Sequence, residues 1–360
     1  MRQAVVRFVC AVQVVAGLIV AGALQAAPIT DLFFFGDSLT DAGNAAIINA
    51  PAGADSFADP PARSPVPYPL VGADTFVYTP VYVPPWQRPY EGSGRFTDGF
   101  TWATAFASAL GFPGAAAPSL DGGNNYAVGG ASVVPFANPP VPPPSAVEQL
   151  AAFRMSHGGV TGTFDTAALY FIGAGGNDLR TILTGGVDPL AGAAGIVGGL
   201  SSMVTDLLSW GAQRIVLWNA PDITLSPQFR AAVQAGLISP TQATEFLGLI
   251  NQINSLLGQL DALPGVDVFD LAGLLRSIVA DPFAYGLVNA NLPCGFADVF
   301  AATLGTCAQG FLFWDGVHPS SAGHAVLARS MIAFVPEPGT LLLVGLSFIG
   351  ILIARSRRGG

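Results

Sequence analysis

Four short stretches carry residue types that could do chemistry together. In LFFFGDSLTDAGN (32–44) an apolar run ends abruptly on Gly36, Asp37 and Ser38. Those three residues suit a turn between a strand and a helix, and the same turn could hold Ser38 as a nucleophile. NNYAVGGAS (124–132) ends on Gly129 and Gly130, where backbone can come close to a ligand. YFIGAGGNDL (170–179) runs through glycines to Asn177 and Asp178, and FLFWDGVHPSSAGH (311–324) places Asp315 three residues before His318. A serine hydroxyl is a poor nucleophile until a neutral imidazole accepts its proton, and that imidazole needs an acid to orient it. The chain has three histidines. His157 ends a helical stretch, where a cation faces free carbonyls, and His324 falls one turn into the last helix. His318 alone has an acid at the right spacing and a proline after it to fix its loop.

The elements that must position these residues alternate in type. Apolar, β-branched or aromatic runs predict strands at 31–36, 124–128, 167–173, 214–219 and 266–270. Helical patterns fall near 99–110, 145–156, 190–209, 240–262, 271–280 and 320–334. Strands separated by helices argue for a parallel sheet covered on both faces, with functional groups at the carboxyl ends of the strands. Two stretches break the rhythm. Residues 51–92 are rich in proline and carry Phe57, Tyr68, Phe76, Tyr78, Tyr82, Trp86 and Tyr90, and PFANPPVPPP (135–144) holds six prolines. The first could wall an apolar groove beside the nucleophile or merely pack over the core.

Both ends of the 360-residue chain are apolar. Arg2 and Arg7 precede an apolar run that gives way to Ala23, Ala26 and Ala27, the pattern of a secretory signal peptide over residues 1–27. At the other end Pro336, Glu337 and Pro338 lead into an apolar span from Thr340 to Ala354, followed by Arg355, Arg357 and Arg358. The span is short but can cross a thin membrane, with the arginines on the cytoplasmic side. Between these ends, residues 28–335 carry 9 arginines, no lysine and 22 acids, a net charge of −13. Such a body repels phosphate backbones, so nucleic acid is not an expected partner. Cys10 lies in the signal segment, which leaves Cys294 and Cys307 to form one disulfide in an exported domain. No His–Cys–acid cluster suggests a metal, and no P-loop lysine is present, so no cofactor is expected.

The four stretches, in this order, resemble the blocks of the GDSL (SGNH) hydrolase family from Leu32 to about Ala328. FGDSLTDAGN, GRFTDGFTW (94–102) and FWDGVHPS are similar to its lipase-like branch. The resemblance implies a single α/β hydrolase domain over residues 28–335. Its expected fold is a three-layer α/β/α sandwich around a parallel, flavodoxin-like sheet. It further implies Ser38 as nucleophile, His318 as general base and Asp315 as the acid that orients it. The N–H groups of Ser38 and Gly130 and the side-chain amide of Asn177 become the oxyanion hole. Residues 336–360 resemble the PEP-CTERM sorting signal, which implies an exosortase-type sorting enzyme as a partner. That signal also implies a transient inner-membrane precursor and delivery to the surface or matrix of a Gram-negative bacterium. The expected activity is that of a secreted esterase or lipase on lipophilic acyl esters. A polysaccharide O-acetylesterase and a matrix-binding protein without catalysis are the alternatives.

Overall fold

A computed structural model describes residues 28–49, 94–135, 143–157, 164–294 and 310–335. Signal segment 1–27, the aromatic stretch 51–92, residues 136–142, Cys307 and the C-terminal span lie outside the described residues. One compact unit comprises Thr30–Phe334; the other, Met1–Ile29 with Val335–Gly360, falls almost wholly outside them.

Four parallel strands form the main sheet in the order β1 (Leu32–Gly36), β2 (Leu169–Gly173), β3 (Ile215–Trp218) and β4 (Val266–Phe269). The first three are buried along their whole length, which is why their sequences are continuously apolar rather than alternating. β1 and β2 run in register from Leu32 beside Leu169 to Gly36 beside Gly173. The glycine pair closes that register tightly, since a Cβ on Gly36 would sit 2.3 Å from the Gly173 carbonyl oxygen.

Residues 124–128, expected as a strand, are not a regular one. They do lie parallel along the free side of β1: the Tyr126 N–H donates to the Phe34 carbonyl, and the Val128 N–H to that of Gly36. The Asn44 side chain donates to the carbonyls of Asn125 and Ala127, so acceptors that a further strand would use are already taken. With this segment counted, the spatial order is that of a flavodoxin-like sheet, and the fold is the expected α/β/α arrangement.

Alternate residues of β1 face opposite layers. Phe33 and Phe35 enter the core with Tyr170, Ile172, Ile215 and Leu217 under α3 (Ala146–Ser156), α5 (Pro189–Ser209) and α7 (Pro240–Leu257). Phe34 faces the other way, with its ring 5.1 Å from Phe171 and 5.6 Å from Trp102 of α2 (Trp102–Ala109). α9 (Ser321–Phe334) completes that second layer, with Phe334 against Phe269. Among the described residues α5 is the one helix long and apolar enough to cross a membrane, yet it packs Ile196, Leu200, Met203 and Leu207 into the core.

The remaining helices are α1 (Asn44–Asn49), α4 (Gly176–Leu183), α6 (Pro227–Gln234) and α8 (Leu271–Ala280). The helix expected over 240–262 ends at Leu257 and continues as a 3-10 turn, Gly258–Ala262. A second sheet was not anticipated as such: β5 (Asn289–Pro293) pairs in parallel with the short β6 (Phe311–Phe313). β5 is half exposed and reads NANLP, a run with no strand propensity to reveal it.

Candidate active site

Ser38 stands two residues past the end of β1, on a turn built from local and distant bonds. Asp37 accepts the N–H groups of Thr40 and Asp41 on its carbonyl and that of Leu39 on its side chain. The Asp41 carboxylate then gathers four backbone N–H groups: Gly43 and Asn44 on Oδ1, and Ala45 and Gly129 on Oδ2, at 2.7–3.1 Å. Behind the turn, Gln149 of α3 reaches Gly36. Its Oε1 accepts the Gly36 N–H at 2.9 Å, and its Nε2 donates to the Gly36 carbonyl at 2.8 Å and to that of Pro144 at 3.0 Å. The side-chain amide thus gives the Gly36 N–H its acceptor and adds a second donor to the carbonyl that the Val128 N–H already reaches.

His318 is held by a much shorter piece of chain. The Trp314 N–H donates to the His318 carbonyl, and Asp315 Oδ1 accepts the N–H groups of Val317 and His318. Asp315 Oδ2 lies 2.6 Å from His318 Nδ1, and His318 Nε2 lies 2.9 Å from Ser38 Oγ. The structure therefore brings Ser38, His318 and Asp315 into one hydrogen-bonded line across 280 residues of sequence.

Of the three groups expected to bind an oxyanion, the N–H groups of Ser38 and Gly130 have no acceptor among the described residues. Gly130 takes a left-handed backbone, φ +82°, which favours glycine there. It is not among the residues lining the cleft, whereas Ser38, His318 and Asn177 are. Asn177 sits in the first turn of α4 and gives one Nδ2 proton to the Ala131 carbonyl at 2.9 Å, which leaves its second proton for another acceptor.

The aspartates of the site are shifted in opposite directions. Burial pushes the Asp37 and Asp41 carboxyls up to about 6, against the N–H groups that favour ionisation. Burial likewise raises Asp178 to about 7, although its carboxylate accepts the Val133 N–H. Asp178 thus ties α4 to the loop after Gly130 rather than serving only its own turn. Burial also works against ionised Asp315, but the attraction of His318 and the bonds from His318 and Val317 together bring it below the ordinary carboxylate value. His324 is buried, with Nδ1 accepting the Trp102 N–H, so its place is structural. His157 caps α3, its Nδ1 3.0 Å from the Phe153 carbonyl. Cys294 is buried and disulfide-bonded. No group of three or more metal-binding side chains occurs among the described residues.

Sequence reasoning missed Gln149. Its signal was visible: Ala146, Gln149, Leu150 and Phe153 form one buried stripe at helical spacing, and the odd member is an amide. The cleft beside Ser38 is walled mostly by apolar side chains, among them Ile223, Leu271, Leu275, Phe313 and Leu327.

A serine two residues past the end of a buried parallel strand, hydrogen-bonded to a histidine that is itself bonded to an aspartate, makes a serine–histidine–aspartate arrangement on an α/β fold. The chain belongs to the GDSL-like lipase/acylhydrolase family, whose pattern matches residues 32–331. Residues 334–358 match the PEP-CTERM protein-sorting motif, the mark of an exported protein with a membrane-anchored precursor. The chain is 28% identical over 255 residues to an uncharacterized protein from the trpE–trpG intergenic region of Pseudomonas putida, covering 62% of this chain and 40% of that one. It is 24% identical over 267 residues to the thermolabile hemolysin of Vibrio parahaemolyticus, covering 69% and 58%. With an Arabidopsis thaliana GDSL esterase/lipase the identity is 22% over 356 residues, 83% of each chain. The chain therefore spans only about two to three fifths of the length of the first two relatives.

Proposed function

We propose that this exported protein hydrolyses carboxylic esters through an acyl-enzyme on Ser38. The observation that carries the reading is the unbroken line from Ser38 Oγ through His318 to Asp315, at 2.9 and 2.6 Å. Ser38 Oγ attacks the carbonyl carbon as His318 Nε2 takes its proton, and Asp315 steadies the imidazolium through Nδ1. The N–H groups of Ser38 and Gly130 and the second Nδ2 proton of Asn177 hold the oxyanion. The tetrahedral intermediate then collapses, and His318 returns the proton to the departing alkoxide. Water attacks the acyl-enzyme with His318 again as base, releasing the acid and free Ser38. No cofactor enters these steps.

The substrate class is a lipophilic acyl ester, because apolar side chains such as Ile223, Leu271, Leu275, Phe313 and Leu327 form more of the cleft beside Ser38 than Arg180, Asp222 and Ser226 do. Residues 1–27 direct export. Residues 336–360 hold the precursor in the inner membrane until an exosortase-type enzyme cleaves near Pro336–Pro338 and releases residues 28–335 to the surface or matrix. Cys294 pairs with Cys307.

Hydrolysis of p-nitrophenyl esters of rising chain length, measured beside an acetylated glycan, tests the substrate. The expected result is higher kcat/KM on a fatty ester. Higher kcat/KM on the glycan than on every fatty ester identifies a polysaccharide O-acetylesterase instead. If a fluorophosphonate fails to label Ser38 and no ester is cleaved, the chain is a matrix-binding protein without catalysis.

A further inference from the structure

Segment 94–102 has no part in the mechanism above, yet it touches both halves of the site. Phe96 is buried, and its ring centroid lies 5.1 Å from that of His318, with the planes 38° apart. Behind it stands Gly129, where a Cβ would come within 1.9 Å of the Phe96 ring. Only glycine lets the phenyl group in at that point. The Gly129 N–H is itself held by Asp41 on the nucleophile's turn. Two further ties anchor the segment: Asp98 Oδ1 accepts the Ser321 N–H at 2.6 Å, and the Trp102 indole N–H donates to Thr40 Oγ1 at 3.1 Å.

We propose that Phe96 is a positioning residue for His318, wedged between the imidazole and Gly129. This rests on the reading of His318 as general base. The bond between Nε2 and Ser38 is the one given up in the reaction, and the remaining bond to Asp315 fixes one atom of the imidazole and leaves its plane free to swing. Phe96 blocks the swing and keeps Nε2 facing Ser38. An aromatic ring beside the imidazole also favours the imidazolium formed when the Ser38 proton is taken. The charged and titratable groups around His318 are Asp315 on its own turn, Asp37 on the nucleophile's turn, His324 on α9, and Arg180 and Asp222 across the cleft. Replacing Phe96 changes none of them.

The test compares Phe96→Ala with Phe96→Leu in the full mature protein, with kcat expressed per serine titrated by a fluorophosphonate. Phe96→Ala should lower kcat about tenfold to a hundredfold with KM within about twofold of wild type. Phe96→Leu keeps apolar volume but no ring, so it should lose less kcat. It should also move the acid limb of kcat/KM down by about half a pH unit. An unmoved acid limb in Phe96→Leu, or full kcat per titrated site in both variants, overturns the proposal. His318→Ala serves as the control for the underlying reading. If it keeps wild-type activity, His318 is not the base and the assignment to Phe96 falls with it.

Discussion

Ser38 and His318 meet at one hydrogen bond but are held in place by opposite means. The nucleophile's turn depends on partners far away in sequence: Gln149 on Gly36, and Gly129 on Asp41. The turn of His318 is bonded mainly within Trp314–His318, with one distant tie from the Gln228 N–H to the Gly316 carbonyl. Their aspartates differ accordingly. Burial raises Asp37 and Asp41 although His318 and Arg180 act on the first and Arg95 on the second, whereas Asp315 is bonded directly to the imidazole and is lowered. The same side chain thus serves as backbone scaffold in one region and as electrostatic partner in the other.

The largest effects should come from the line that joins the two regions. Ser38→Ala removes the nucleophile and should lower kcat by about a millionfold. Asp315→Asn should cost about ten-thousandfold, because the amide favours the wrong imidazole tautomer. If Asp315→Asn loses less than tenfold in steady-state ester hydrolysis, the local turn alone orients His318 and the carboxylate is only a cap.

Next in size is Asn177→Ala. Loss of one oxyanion donor costs about a hundredfold to a thousandfold in kcat and leaves KM nearly unchanged. Its remaining proton is the one to be tested, since the other is committed to Ala131. Full kcat in folded protein would make Asn177 a structural tie between α4 and the 131–133 loop.

Gln149→Met sharpens the contrast more gently. It should destabilise the fold by about 1–3 kcal/mol, as the Gly36 N–H loses its acceptor in a buried place. Because Gln149 is absent from the cleft wall, kcat per titrated serine should fall about tenfold with KM unmoved. Thermal unfolding and active-site titration read the two effects separately. An equal variant in both would show that β1 needs no clamp.

The smallest effect is on stability against pH. Asp37, Asp41 and Asp178 are raised to about 6, 6 and 7, so the native chain keeps protons that the unfolded chain has already released. Their contribution is full below about pH 4 and is lost as pH rises through 6 to 7. His324, lowered to about 3 by burial and by the charge of His318, acts in the opposite sense: its contribution is present above about 6.5 and is lost as pH falls. Asp315, also lowered, loses its contribution only under stronger acid. Three carboxyls against one imidazole predict a Tm that falls between pH 5 and pH 8, measurable by calorimetry. A rising Tm would mean that the four N–H groups on Asp41 outweigh its burial.

Residue types and spacing brought forward Ser38, Asp315, His318, Gly130 and Asn177, because each lies in a short stretch whose neighbours restrict its backbone. Strands β1 to β3 were legible for a related reason: burial on both faces demands unbroken apolar runs. The run 124–128 looked like another such strand, yet Asn44, some eighty positions away, takes carbonyls on its outer edge. No local pattern encodes that. β5 was hidden for the opposite reason, since its half-exposed residues owe their extended form to pairing with β6.

By itself the sequence determined the apolar periods, the turn chemistry and the order of the blocks, all properties of residues within a few positions of one another. The bonds that join Asp315 to His318 belong to this group, because they lie within Trp314–His318. Only the tertiary structure decided that Ser38 lies 2.9 Å from His318, that Gln149 closes the edge of β1, and that Phe96 needs a glycine at 129. Those contacts join segments that only the packed sheet brings together. Their free energy comes from excluding water around groups that have no contact in the extended chain.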